Sequence, residues 1–340
     1  MKKPEMKINS LNGVFLDADF ERLLHINLPT ITVGARTYGE LALIGDIHIG
    51  NVSLSKNVLA GYLAYLKKYP HIQIGLMGDL LECGELSPYI REEEIPKLDD
   101  QIAMFKGCFK PIANRIQFML WGNHEERFAK ASKSSRLMRD LALELGIETN
   151  VHVAIPQRGV YVDIQAGDKH YGAYFAHSKT NAKVNQDIQL ERAGFHNLVS
   201  VNGFGHTHRL GWKCRTYRTL EMIDGQVYNL VRRQYLVSTG CFLKYPSYAE
   251  AASMPYTDVG CPFLKFHASE HQIEFYDLTG EYKDYLSKGG LPIPQPVETI
   301  QKHNLPTKPA CPRCGSTDVQ SRKPDWGCNN CGRRWKQRQS

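Results

Sequence analysis

Three apolar runs in the first part of the chain end in the same way: Leu41-Ala-Leu-Ile-Gly-Asp46, Ile72-Gln-Ile-Gly-Leu-Met-Gly-Asp79 and Ile116-Gln-Phe-Met-Leu-Trp-Gly-Asn123. Each is short, apolar on both faces and closed by Gly, the pattern of a strand buried on both sides. Residues 58–68 between the first two repeat Leu59, Tyr62, Leu63 and Leu66 on one helical face, and 96–114 read as a second helix. Strands alternating with helices predict one parallel sheet. Its strand ends then converge, each presenting a Gly and a polar residue, where open α/β sheets bind ligands.

A third helix is expected over 132–145, with Leu137, Leu141 and Leu145 in register and Gly146 suited to a C-cap. The pattern then turns to β. Residues 160–164 and 170–175 flank Gln-Ala-Gly-Asp-Lys, 216–223 and 226–237 flank Asp224-Gly225, and 263–267 pair with 272–276. These predict a second, largely antiparallel sheet packed on the first. The expected fold class is therefore α/β, a four-layer double β-sandwich flanked by helices. Residues 1–40 read as an N-terminal extension with an added β-hairpin, 41–286 as the main domain and 287–310, with five prolines, as a linker.

The net charge of +7 lies at one end. Residues 301–340 hold nine Lys/Arg and two Asp/Glu, leaving 33 of each sign before them. Such a tail either meets a polyanion or keeps a terminus soluble. No run of eighteen apolar residues exists and the start, MKKPEMKINS, lacks a secretory core, so no membrane association is expected. Five of the nine cysteines are scattered and four form two C-x-x-C pairs, which points to a reducing, cytoplasmic compartment and to metal rather than disulfides.

Five separated segments, each after a strand candidate, offer metal ligands: Asp46 and His48 in GDIHIG, Asp79 in GDLLE, Asn123 in GNHE, His177 in FAHS, and His206 and His208 in FGHTHR. Taken singly, each reads equally as a turn. Together their carboxylate, imidazole and amide groups suit Mn, Fe or Zn. Seven ligands exceed what one catalytic ion with open positions takes, and fit two ions sharing a carboxylate.

In order and spacing these motifs resemble the calcineurin-like metallophosphoesterase superfamily, over about residues 41–279. The resemblance implies that Asp46, His48 and His208 hold one ion, that Asn123, His177 and His206 hold the other, and that Asp79 bridges them. It implies two divalent cofactors, Mn before Fe or Zn, with a bridging hydroxide attacking phosphorus in line. His124 matches the family's catalytic histidine, and Glu82 stands where a family carboxylate pairs with it; a solvated helix-start residue is the other reading of Glu82. GDLLECG lacks the Arg of the protein Ser/Thr phosphatases. The pattern is closer to bacterial, archaeal and phage-type members that include DNA-repair nucleases.

Cys311-Pro-Arg-Cys314 and Cys328-Asn-Asn-Cys331, thirteen residues apart and each followed by Gly, form two knuckles fit for one tetrahedral structural zinc. The module, 311–340, resembles a zinc ribbon. Arg322, Lys323, Arg333, Arg334, Trp335 and Lys336 around it suit phosphate contact and base stacking, or a ribbon docked on a protein partner. The expected function is two-metal hydrolysis of phosphodiesters in nucleic acid, DNA or RNA, with the ribbon recruiting substrate. The alternative is a phosphomonoesterase or nucleotide phosphodiesterase whose ribbon binds protein.

Overall fold

The computed structural model describes residues 23–83, 97–133, 136–147, 159–177, 191–192, 194–244 and 258–278, and the backbone of 152–153, 319–322, 325–328 and 334–335. The chain divides into two units, Met1–Leu291 and Pro292–Ser340.

In the larger unit the described chain enters through β1 (Leu24–Leu28) and β2 (Thr30–Val33), then turns at Gly34 into β3 (Arg36–Ile44). Helix α1 (Lys56–Lys68) leads to β4 (Gln73–Leu76), and α2 (Leu98–Phe109) leads to β5 (Ile116–Met119). Helices α3 (Asn123–Ser132) and α4 (Leu137–Leu145) precede the short β6 (His152–Val153). Next come β7 (Val160–Ala166), β8 (Lys169–His177) and β9 (Val201–Gly205), then a long hairpin of β10 (Leu210–Ile223) and β11 (Gln226–Thr239). The unit closes with β12 (Phe263–His267) and β13 (Ile273–Tyr276).

These strands form two sheets. One has the order β13-β12-β3-β4-β5-β6, with β2 also paired to β3; the other has the order β1-β7-β8-β9-β11-β10. β3, β4, β5 and β6 run parallel, as the strand–helix alternation predicts. Alternate residues of β3 serve two cores. Leu41 and Leu43 face the other sheet with Phe118, Val162, Phe175 and Val237, while Ala42 and Ile44 meet the helices. Phe118 stacks on Phe175 across the interface, centroids 5.2 Å apart. Only a glycine at position 75 leaves room for Phe118, whose ring lies 2.2 Å from where a Cβ would stand.

On the outer face, α1 buries the expected Leu59, Tyr62, Leu63 and Leu66. α4 buries Leu137, Leu141 and Leu145 and ends at Gly146, whose φ of 72° suits the left-handed cap. Helical residues Glu191, Arg192 and 194–196 lie on the far side of the second sheet, where Arg215 donates to the Gly194 carbonyl. The four-layer α/β sandwich is thus present.

Several expectations change. The β12–β13 hairpin joins the first sheet, with β12 antiparallel to β3, rather than the second. The second sheet is mixed, because β9 runs parallel to both neighbours and β1 parallel to β7. Residues 24–40 are not appended: β1 is an edge of one sheet, and the hairpin expected there is β2 folded onto the start of β3. The helix expected over 96–114 stops at Phe109 and continues as a 3₁₀ segment, Lys110–Arg115, because Pro111 has no N–H for an α-helical bond. Helix α3, unforeseen, starts on a ligand candidate.

The smaller unit is seen as a three-stranded antiparallel sheet of β14 (Val319–Arg322), β15 (Asp325–Cys328) and β16 (Arg334–Trp335). The linker expected over 287–310 lies outside the described residues.

Candidate metal centre

The loops after β3 and β4 run side by side as though the parallel ladder continued. Asp46 N–H donates to the Gly78 carbonyl at 2.9 Å, and His48 N–H to that of Asp79 at 3.0 Å. Both loops turn through unusual backbone. Asp46, His48, Asp79, His206 and His208 all have positive φ, between 47° and 81°. L-residues avoid that region, at a cost of order 1–3 kcal/mol each, and such residues gather at functional sites.

Glycines let the segments close together. A Cβ at Gly122 would lie 2.0 Å from Asp79 Oδ1, and one at Gly205 would lie 2.7 Å from His177 Nδ1. His206 N–H donates to both Asp46 oxygens, at 3.1 and 2.9 Å, tying the loop after β9 to the loop after β3. His124 N–H, at the start of α3, donates to Asp79 Oδ1 at 2.9 Å.

The seven candidate ligands converge in two groups. Asp46, His48, Asp79 and His208 form one, and Asp79, His177 and His206 the other, so Asp79 belongs to both. Asp79 Oδ2 is 3.4 Å from His177 Nε2 and 3.8 Å from His48 Nε2. Asn123 joins the second group, its Oδ1 at 3.2 Å from His177 Nε2. His48 Nε2 and His208 Nε2 approach to 3.1 Å, and His208 Nε2 lies 3.3 Å from Asp46 Oδ1.

The rings are oriented from behind. His48 Nδ1 donates to Glu82 Oε2 at 3.1 Å, and His177 Nδ1 donates to the Met77 carbonyl at 2.8 Å. With Nδ1 carrying the proton, each neutral ring presents the Nε2 lone pair to the centre. His206 Nδ1 is buried and has no hydrogen-bond partner among the described residues. A buried nitrogen without a partner is costly, and a cation beside it would remove that cost.

Charge points the same way. Asp46, Asp79, Glu82 and Glu125 are all buried within this cluster. Burial pushes the Asp79 carboxyl up, but the His177 charge and hydrogen bond outweigh it and hold Asp79 well below the usual range. Burial pushes His177 down, yet Asp79 lifts it to about 9. The buried carboxylates are thus balanced in part by the His177 charge, a role that bound cations would take over. The donor set of carboxylate, imidazole and amide oxygen fits divalent ions of the Mn, Fe or Zn kind.

His124 stands at the mouth with its side chain 17% exposed, Nε2 4.0 Å from Asp79 Oδ2. Its Nδ1 donates to the backbone carbonyl of Glu82 at 2.7 Å, while the Glu82 carboxylate lies 3.6 Å away. That carboxylate bonds His48 and Asn51, whose Nδ2 donates to it at 2.9 Å. Glu82 therefore sits between the catalytic candidate and a ligand candidate.

Sequence reasoning overlooked Glu125. Its Oε1 accepts the N–H groups of Leu80 and Leu81 at 2.7 and 3.0 Å, and its Oε2 those of Asp79 and Gly122 at 3.1 and 2.9 Å. The signal was the acid three residues into a helix after Gly122, an N-terminal capping pattern.

Of the ribbon candidates, Cys328 ends β15, Arg322 ends β14, and Arg334 and Trp335 form β16. Cys311, Cys314, Cys331, Lys323, Arg333 and Lys336 lie outside the described residues. In register, Trp326 opposes Trp335 and Arg322 opposes Asp325.

No protein-family model matches the chain, and no curated protein matches it. Among solved structures it is similar to Zn-complexed Vps29 from Entamoeba histolytica, at 11% identity and a TM-score of 0.31, over 70% of this chain and 97% of that one. It is similar to YfcE, a phosphoesterase from E. coli, at 12% and 0.34, over 70% and 98%. It is also similar to the calcineurin-like phosphoesterase YfkN from Bacillus subtilis, at 11% and 0.28, over 62% and 91%. Among the described residues no helix is long and apolar enough to cross a membrane.

Proposed function

We propose that the chain is a two-metal phosphoesterase of the calcineurin-like kind that hydrolyses phosphodiester bonds in nucleic acid. The observation that carries the hydrolytic reading is the sharing of Asp79 between two ligand groups, with His124 beside them at a partly exposed edge. Asp46, His48 and His208 would hold one ion, and Asn123, His177 and His206 the other. Two divalent ions there, with Mn the first candidate, supply Lewis-acid activation of water and neutralise the phosphoryl oxygens.

The remaining steps belong to the side chains. Asp46 and Asp79, held ionised by the surrounding histidines, offer charged oxygens to the ions and fix the loops that bear the ligands. Glu82 holds the His48 ring through Nδ1. His124, anchored through Nδ1 to the Glu82 carbonyl, turns Nε2 toward the substrate side, placed to give a proton to the leaving oxygen.

The nucleic-acid part of the reading is supported by the C-terminal unit. Its three-stranded sheet, with Cys328 at a strand end, suits a zinc ribbon closed by Cys311, Cys314 and Cys331. Its basic and aromatic residues suit a polynucleotide. The test is hydrolysis, with Mn²⁺, of single- and double-stranded DNA and RNA beside a phosphomonoester and a small diester, for wild type and Asp79→Asn. Polynucleotide cleavage lost in the variant is expected. Turnover of the monoester alone overturns the nuclease reading and favours a small substrate with a protein-binding ribbon.

A further inference from the structure

The second sheet ends in a hairpin that outruns every described element packed on it. β10 and β11 are each 14 residues long, yet β9 pairs only with Tyr235–Ser238 of β11. Beyond Thr216 and Arg233 the two strands pair, among the described residues, only with each other up to the turn at Asp224-Gly225, where φ is 51° and 77°. At ~3.3 Å per residue this free ribbon reaches roughly 26 Å.

Its two faces differ. The face continuing from Tyr235 and Val237, which pack in the inter-sheet core, is built of opposed rows: Thr216 with Arg233, Arg218 with Val231, Leu220 with Asn229, and Met222 with Val227. It is the inner face of a sandwich prolonged past the sheet that covers it. Leu220 is 72% exposed, and Met222, Val227 and Val231 are 63–64% exposed. The opposite face is partly closed by the Glu221–Arg232 ion pair and by Tyr217, whose hydroxyl donates to the Leu198 carbonyl at 3.4 Å. A two-stranded ribbon alone is marginally stable in water, and a contiguous apolar patch on one marks a contact site.

We propose that this face binds the same face of a second copy of the chain, with the two hairpins antiparallel about a two-fold axis through the Leu220–Asn229 row. The rows are self-complementary in that arrangement. The Arg218–Val231 row meets the partner's Met222–Val227 row, and Arg233 meets the acidic tip at Asp224. With the hairpins parallel, Arg233 would face its own copy. Nucleic acid fits less well, since the face offers aliphatic side chains with two arginines and ends in an aspartate. A two-fold contact needs only one patch. The ribbon face covers on the order of 300 Å², taking strands ~4.8 Å apart, below the ~800 Å² per partner of a standard interface. The dimer is therefore weak and concentration-dependent.

Sedimentation equilibrium of the full chain over a wide concentration range tests this, with thermal melts to verify folding. Wild type should pass from monomer to dimer, and Leu220→Lys should stay monomeric with an unchanged melt. Arg233→Glu should weaken the dimer by about tenfold or more, and adding Asp224→Lys should restore it. A wild type that is monomeric throughout, or a dimer that Leu220→Lys leaves intact, overturns the proposal. So does duplex DNA binding by monomeric wild type that Leu220→Lys abolishes, which would give the face to nucleic acid instead.

Discussion

Glu125 accepts the backbone N–H of Asp79 at 3.1 Å, and through its two oxygens it also holds the N–H groups of Leu80, Leu81 and Gly122. One buried carboxylate thus fixes both the turn that presents Asp79 and the start of the helix that presents Asn123 and His124. All four partners are donors, so the group must accept on both oxygens.

Glu125→Gln is therefore not conservative. Its amide nitrogen would face two N–H groups whichever way it turned. Expected are a Mn²⁺ affinity lower by about 10- to 100-fold, as for other groups that orient metal ligands, and a lower melting temperature. Titration calorimetry on the metal-stripped protein measures the first. Wild-type affinity in the variant would show that Asp79 holds its place without Glu125.

Asp79→Asn keeps the shape of the shared ligand and removes its charge. Because Asp79 belongs to both ligand groups, bound Mn²⁺ should fall from two per chain toward one or none. Elemental analysis after dialysis reads this directly. Two ions retained would mean that another group bridges them.

Metal removal should also cost stability. Four buried acids share one pocket with His206 Nδ1, which has no hydrogen-bond partner among the described residues, so a cation binding only the folded state stabilises it by mass action. Chelation should lower the melting temperature and Mn²⁺ should restore it. In Asp79→Asn the restoration should be largely lost.

The strand ends were legible because Gly followed by a polar residue after a fully apolar run leaves few alternatives to a turn at a sheet edge. Gly78-Asp79 and Gly122-Asn123 are such cases. Sheet membership was not legible for β12 and β13. Periodicity reports that Phe263, Leu264 and Phe266 are buried, but not which strand they pair with. The strained backbone at His48 and His208 left no glycine to announce it. Glu125 was hidden by its own motif, since an acid in a first helical turn is ordinarily explained by the helix dipole. Its four bonds arise from β4 and β5 lying side by side, which only the fold supplies.

Arg115 offers a control that separates stability from the site. Its guanidinium is buried and donates to the carbonyls of Tyr69 and Ile72 at 3.0 Å and of Leu66 at 2.7 Å, closing the end of α1. Arg115→Met leaves those carbonyls without donors and should cost about 2–4 kcal/mol, seen in urea denaturation. Activity per folded molecule should not change. A large loss of activity at full folding would mean that α1 positions the β4 loop more directly than the contacts indicate.

His124→Ala separates chemistry from metal binding. His124 is held by the Glu82 carbonyl, approaches Asp79 only to 4.0 Å and clusters with Glu82 and His48, outside the two groups that share Asp79. The variant should keep its Mn²⁺ content and lose roughly 10²–10⁴-fold in kcat, the usual yield of a positioned proton donor, with little change in KM. The loss should shrink for a diester whose leaving group needs no proton, such as a nitrophenolate, because that oxygen departs as a stable anion. An equal loss on both substrates would give His124 a charge-stabilising role toward the phosphoryl group. Loss of Mn²⁺ together with kcat would make it a ligand.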